Sequence, residues 1–201
     1  MSDQKLRELE RRWKETGSPD DEAAYLLERV RVGNLTQERL ELAAYCGHEG
    51  ARRATQSTLG QAMGALDWVQ HLDHWPGTAA IAAVVAARFA VKAVDLDDAP
   101  ADAEQILRVL RAAETALSRP TQESLRTARD AAEALPRGFT PEASTNAVLS
   151  ARFCALAAGR SEDPRDAYRA VFHAAAACKD LSALHATIRC GLSNWALRGR
   201  V

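Results

Sequence analysis

Alanine is the feature that most constrains the fold of this chain. It fills 41 of the 201 positions, and most of these alanines follow Gly77. Alanine has the highest helix propensity and little side-chain bulk, so alanine-rich helices form readily and approach one another closely. No segment alternates between apolar and polar residues over a useful length, as a half-buried strand would. The sequence therefore predicts an all-α protein with few groups that perform chemistry.

Capping residues and prolines mark the predicted helix boundaries. Residues typical of helix N-termini are Ser18 with Pro19, Thr36, Thr121 and Ser182. We expect nine or ten helices, arranged as an irregular multi-helix bundle or as a short α-solenoid. The spacing of about 20 residues per helix with its turn favours a solenoid, whereas the lack of a clean sequence repeat favours a bundle.

The composition divides the chain near residue 56. Residues 1–56 form a helical module with dense mixed charge, and residues 57–201 form an alanine-rich helical body. We expect the two to make one continuous fold. The charged module has two interpretations: an exposed helical cap with solvated charges, or a docking module whose alternating charges select a partner.

Charge and motif content exclude several classes of function. The net charge is −1, so there is no broad basic field to attract nucleic acid. Gly60 and Gly64 precede no GK[ST] sequence, so a phosphate-binding loop is not predicted. The apolar run at 79–94 is short and carries Arg88 and Lys92, which indicates a buried core helix and not a membrane span.

The cysteines indicate a reducing compartment. Cys46, Cys154, Cys178 and Cys190 include no CxxC pair, so neither a thiol redox motif nor a zinc motif is present. Residues 1–16 are highly charged and lack the apolar stretch of a secretory signal. We therefore expect a cytoplasmic protein with reduced cysteines.

The best candidate for a metal site is a cluster on one predicted helix, from about residue 66 to residue 75. Asp67, His71 and His74 are spaced i, i+4 and i+7, which places them on one helical face. Two histidines and a carboxylate can hold zinc or iron. His48 and Glu49 would supply further ligands if the chain folds back on itself.

The same helix also has a simpler interpretation. Trp68 and Trp75 indicate that its other side packs against the protein, leaving His71 and His74 as half-exposed polar residues without a metal. On that interpretation the protein has no cofactor, and none is predicted.

A second pair of histidines lies near cysteines. His173 precedes Cys178, and His185 precedes Cys190. A Cys/His nucleophile pair requires contact within hydrogen-bond reach. Because His173 lies beside the run of alanines at 174–177, we interpret these histidines as core or boundary residues and not as catalytic ones.

Two stretches carry resemblances to known families. Residues 9–18 (LERRWKETGS), 22–36 and 35–48 (LTQERLELAAYCGH) resemble a helical N-terminal module of uncharacterised myxobacterial proteins. Residues 112–132 resemble the alanine-rich helix pair of bacterial immunity proteins that protect against polymorphic toxins. These resemblances imply a non-enzymatic, partner-binding role, and they carry over no catalytic residues.

The leading hypothesis is a non-catalytic, cytoplasmic, all-α protein that binds another protein, as an immunity, regulatory or adaptor protein does. It predicts neither nucleic-acid nor membrane binding. One alternative is a metal- or small-ligand-binding helical domain that uses Asp67, His71 and His74. The other is a self-assembling scaffold subunit, in which the partner is a further copy of the chain.

Overall fold

A computed structural model describes residues 2–57, 67–94, 100–135, 142–159, 164–178 and 180–199. Helices account for 86% of these residues and none lies in a strand, which confirms the all-α prediction. The helices are α1 (Ser2–Thr16), α2 (Pro19–Arg31), α3 (Gln37–Tyr45), α4 (Glu49–Thr55), α5 (Asp67–Gln70), a 3-10 helix (His71–His74), α6 (Thr78–Ala93), α7 (Pro100–Ser118), α8 (Gln122–Ala134), α9 (Glu142–Gly159), α10 (Pro164–Ala177) and α11 (Leu181–Arg198). Eleven α-helices in the described ranges exceed the nine or ten predicted.

Most predicted helix starts are confirmed by side chains that accept backbone hydrogen bonds. The confirmed N-caps are Ser18, Thr36 and Thr121. The prediction is wrong at Ser182, because α11 already begins at Leu181. Instead, Asp180 Oδ1 accepts a hydrogen bond from the backbone N–H of Ala183 at 2.9 Å. A carboxylate in this position is also stabilised by the positive end of the helix dipole.

The described residues fall into two compact units. Unit 1 comprises residues 2–57 together with 192–199, and unit 2 comprises the described residues from 67 to 191. The division predicted near residue 56 separates the charged module from the alanine-rich body at a position close to the first boundary of unit 1. It assigns 192–201 to the alanine-rich body, however, whereas the structure groups the end of α11 with unit 1.

Two arginines explain why the end of α11 belongs to unit 1. The last four carbonyls of a helix lack partners within that helix. Arg29 Nη1 donates a hydrogen bond to the carbonyl of Leu197 at 2.9 Å, and Arg39 Nη2 donates one to the carbonyl of Trp195. The Arg39 guanidinium also lies 5.0 Å from the centre of the Trp195 ring, in a cation–π contact. Both contacts stabilise the C-terminus of α11 on unit 1.

Unit 2 is a helical bundle centred on α9. This helix contacts α6, α7, α8 and α10, and α6 also contacts α10. In a solenoid each repeat contacts only its neighbours along the chain. The contacts of α6 with α9 and α10 join helices that are not neighbours along the chain, so they favour the bundle over the solenoid.

The predicted core helix is confirmed as α6. Ten of its sixteen residues are buried, and Ala82, Ala83, Ala86 and Ala87 have no exposed surface. Small side chains on all sides let neighbouring helices approach this helix closely. Among the helices that the structure describes, none combines the length and apolar character needed to cross a membrane.

Candidate functional site

The predicted metal cluster does not lie on one regular helix. The prediction of a single helix is wrong here, since α5 ends at Gln70 and a 3-10 helix follows. His71 Nδ1 lies 3.0 Å from the carbonyl oxygen of Asp67, and His74 Nδ1 lies 3.0 Å from that of His71. Each imidazole thus has one nitrogen engaged by the backbone.

The structure does not assemble these side chains into a ligand set. Within the described ranges, no group of three or more His, Cys, Asp or Glu side chains is placed to hold a metal ion. His48, a proposed further ligand, caps α4: its Nδ1 accepts a hydrogen bond from Ala51 N at 3.3 Å, and its Nε2 lies 3.6 Å from Glu22 Oε1. Glu49 lies beside it and pairs with Arg52 and Arg53. A metal site at Asp67, His71 and His74 stays a prediction to be tested by metal analysis.

The histidines of α10 and α11 have aromatic neighbours. His185 meets the ring of Trp68 edge-on, with 5.3 Å between ring centres. Burial, together with the charge of Arg189, lowers the pKa of His185. Among the cysteines, Cys178 is half-buried and donates to the carbonyl of Ala175 at 3.7 Å, and burial raises the pKa of its thiol. A raised thiol pKa disfavours the thiolate that a Cys nucleophile needs.

The charges of unit 1 largely pair with one another. Glu28 is buried, and its Oε2 accepts a hydrogen bond from Arg31 Nε at 2.9 Å and lies 3.3 Å from Lys5 Nζ. The hydrogen bond from Arg31 lowers the pKa of Glu28 to about 2. Arg12 on α1 likewise pairs with Asp21 on α2 at 2.7 Å. These pairs join α1 to α2, which supports the interpretation of the mixed charges as structural.

A cluster of larger side chains lies across α9 and α10, and we call it the aromatic patch. Its members are Asn146, Phe153, Arg169, Phe172 and His173. Asn146 and Phe153 are seven residues apart on α9, and the other three are spaced i, i+3 and i+4 on α10, so each set shares a helical face. Because α9 and α10 contact each other, the two faces meet.

Ring contacts hold the aromatic patch together. The imidazole of His173 lies nearly parallel to the ring of Phe153, with ring centres 5.5 Å apart and planes at 6°. Phe172 meets the same imidazole edge-on at 5.6 Å. His173 Nδ1 lies 3.0 Å from Asn146 Oδ1, so the amide fixes the orientation of the ring. The patch is therefore an ordered surface in which each ring has a defined neighbour.

Phe172 is exposed to an unusual degree for its size. It is 58% exposed, more than Leu27, Leu107 or Leu181, the other exposed large hydrophobic residues in the described chain. A single exposed apolar side chain is common on protein surfaces. An exposed phenylalanine that continues into two further stacked rings forms a larger apolar surface, of the kind that marks an interaction site.

The exposed charge of the aromatic patch is positive. The Arg169 guanidinium lies over the ring of Phe153, 5.4 Å from its centre, and its side chain is 60% exposed. Arg169 also contacts Asp166 Oδ1 at 3.5 Å, but that carboxylate is buried. Burial and the neighbouring Arg169 lower the pKa of His173, which keeps the imidazole neutral at pH 7. The patch thus presents aromatic surface with one cation.

Phe153, Phe172 and Arg169 are not among the functional residues predicted from the sequence. Phenylalanines at helical spacing among alanines are typical of a core-facing stripe, so their exposure is not evident from the pattern alone. One signal in the sequence indicates this exposure. Polar Asn146 and Arg169 share the helical faces of these phenylalanines, and burying such polar side chains in an apolar core is unfavourable.

Comparison with known proteins does not assign the chain to a family. No protein-family model, no curated protein and no solved structure matches it.

Proposed function

We propose that this protein is a non-catalytic, cytoplasmic protein-binding module that binds its partner through the aromatic patch, as an immunity, regulatory or adaptor protein would. The observation that carries the proposal is the 58% exposure of Phe172 beside a stacked Phe153–His173 pair and an arginine. Aromatic residues and arginine are enriched among the residues that dominate the free energy of protein–protein binding.

The partner that fits this surface is a protein segment with acidic residues around an apolar side chain. Phe172 and Phe153 offer apolar contact, and the exposed guanidinium of Arg169 attracts a carboxylate. Although Arg169 Nη1 pairs with the buried carboxylate of Asp166 at 3.5 Å, the arginine side chain is 60% exposed and reaches solvent beside the phenylalanines. Charge complementarity of this kind increases association rates and selects the partner.

The chemistry of the aromatic patch supports binding over catalysis. Its side chains are two phenylalanines, an amide, a guanidinium and an imidazole, and none of these residue types is a hydroxyl or thiol nucleophile. The imidazole of His173 is stacked and hydrogen-bonded to Asn146, which holds it in place as part of a rigid contact surface. Pre-ordered side chains lose little conformational entropy on binding.

A site-specific cross-linking experiment tests the proposal. A photoreactive benzoyl-phenylalanine is placed at Phe172 in one variant and, as a matched control, at Leu107 in another, since Leu107 is a 43% exposed hydrophobic residue on a different helix. Cells that produce the first variant are irradiated. We expect them to yield one defined protein adduct, cross-linked at an acidic segment of the partner. The control variant should not give this adduct, and Arg169→Gln should weaken it.

The outcomes separate the proposal from its rivals. Equal adducts from positions 172 and 107 would indicate non-specific contact and contradict the proposal. An adduct between two copies of the chain, with a solution mass that falls to that of a monomer in Phe172→Ala, would favour the self-assembling scaffold. An adduct whose cross-linked segment is basic would contradict the acidic partner.

A further inference from the structure

A second surface of unit 2 carries a concentration of arginines. Helices α7 and α8 are joined by residues 119–121, contact each other, and leave an open groove of about 470 Å³. Arg108, Arg111 and Arg119 line this groove, whereas Glu123 is the one carboxylate among its lining residues in the described chain. Three guanidiniums against one carboxylate give the groove a net positive charge.

The arginines share one side of α7 because of their spacing. Arg108 and Arg111 are three residues apart, and Arg119 follows Arg111 by eight, which is close to two helical turns and just beyond the end of α7. Arg108 pairs with Glu104 at 3.3 Å. Within the part of the chain that the structure describes, Arg111 and Arg119 form no ion pair. Like charges one turn apart on a helix repel each other, so a bound anion would relieve this repulsion.

Hydroxyl groups complete the lining and fix its backbone. Ser124 Oγ donates a hydrogen bond to the carbonyl of Arg119 at 2.7 Å and accepts one from the N–H of Thr121 at 2.9 Å. These bonds hold the connection between α7 and α8, and with it the backbone of Arg119. Thr115 and Thr127 also line the groove, and their hydroxyls donate hydrogen bonds to the carbonyls of Arg111 at 2.8 Å and Glu123 at 2.9 Å.

We propose that this groove binds a small phosphorylated molecule. The planar fork of a guanidinium matches two phosphate oxygens at once. The volume lies in the range of sites for small organic ligands. This site uses other helices than the aromatic patch, so it is independent of the proposed protein-binding function.

Isothermal titration of the full chain with inorganic pyrophosphate tests the site. We expect saturable binding of one pyrophosphate per chain at low ionic strength. Arg111→Gln and Arg119→Gln should each weaken this binding by about tenfold or more, since a charged hydrogen bond contributes on the order of this factor. The matched control is Arg126→Gln, because Arg126 is an exposed arginine of α8 that pairs with Asp130 and does not line the groove.

Several results would overturn the proposal. One is the absence of saturable heat with the wild-type chain. Another is an equal loss in Arg126→Gln and Arg111→Gln, which would show diffuse attraction of anions to the surface. Equal affinity for citrate would show that the groove does not select phosphate. Circular dichroism of each variant checks that it keeps the helical content of the wild type, so that unfolding is not mistaken for lost binding.

Discussion

Gly191 of α11 lies directly against Val85 of α6. A Cβ atom at Gly191 would come within 2.8 Å of Val85 Cγ2 and 3.2 Å of Val85 Cγ1. Both residues belong to unit 2, so the contact lies inside one compact body. Here the absence of a side chain allows two helices to approach closely.

This contact predicts whether a substitution at Gly191 raises or lowers the free energy of unfolding. Replacing glycine by alanine inside a helix ordinarily stabilises it by about 0.5–1 kcal/mol. We expect Gly191→Ala to lower the free energy of unfolding by about 1–3 kcal/mol, because the new methyl group overpacks the contact with Val85. Urea denaturation measures the change. In the Val85→Ala background the same substitution should cost less, and a higher midpoint for Gly191→Ala alone would contradict the close contact.

The alanines of α6 make a related prediction. Ala83 and Ala87 have no exposed surface, so we expect Ala83→Leu or Ala87→Leu to lower the free energy of unfolding by about 1–3 kcal/mol. Ala93, an exposed residue of the same helix, supplies the control, and Ala93→Leu should stay within about 0.5 kcal/mol of the wild type. Denaturant midpoints check all three variants. Unchanged midpoints at both buried positions would mean that α6 is not central to the core.

The aromatic patch predicts which substitution removes partner binding. Once cross-linking has identified the partner, Phe172→Ala should weaken its binding by about 2 kcal/mol or more, as expected for a residue at the centre of an interface. Leu107→Ala should change it by less than about 0.5 kcal/mol. Titration of the purified partner measures both. Because Arg169 contributes through charge, binding should also weaken as the salt concentration rises.

Stability should fall as the pH drops below about 6.5. Burial lowers the pKa of His173 and of His185 below the ordinary value of 6.5, so the unfolded chain binds protons in this range more readily than the folded one. The stability is therefore present above pH 6.5 and is lost as the pH falls below it. Glu28, whose folded pKa is about 2, stays ionised in the folded chain throughout this window.

Urea midpoints at several pH values test this dependence. His173→Gln should reduce the slope of stability against pH, whatever it does to the stability at pH 7.5. A slope that the substitution leaves unchanged would show that His173 does not contribute, and stability that rises on acidification would contradict both histidine assignments.

The histidines before α6 make a separate prediction. His71 and His74 are exposed, so the double variant His71→Ala, His74→Ala should lie within about 1 kcal/mol of the wild type. Added zinc should not raise the melting temperature of the wild type, since a metal bound only by the folded chain would stabilise it by mass action. A zinc-dependent rise that the double variant abolishes would establish the metal-binding alternative.

Local signals in the sequence are sufficient to predict much of the fold. Thr36 and Thr121 cap helices where their side chains predict it, and the alanine-rich run around Ala83 is buried. The 3-10 helix was missed because its cause lies beyond it in the sequence. Thr78 Oγ1 lies 3.1 Å from the carbonyl oxygen of Leu72, inside the 3-10 helix, and 2.6 Å from that of Trp75, which also accepts a hydrogen bond from the backbone N–H of Thr78 at 3.2 Å.

The candidate sites depend on contacts that spacing does not reveal. The exposure of Phe172 depends on which helices cover α10, and that is a property of the whole bundle. The contact between Arg39 and Trp195 likewise joins residues far apart in the sequence. Periodicity along one helix carries no information about either.

The division of α11 between two units has a consequence for synthesis on the ribosome. Residues 2–57 leave the ribosome before unit 2, yet the carbonyl that Arg29 binds belongs to Leu197, 168 positions later. Unit 1 therefore stays incomplete until all of unit 2 has been translated. Although domains generally fold in the order of their synthesis, the N-terminal helices of this chain reach their final set of contacts last.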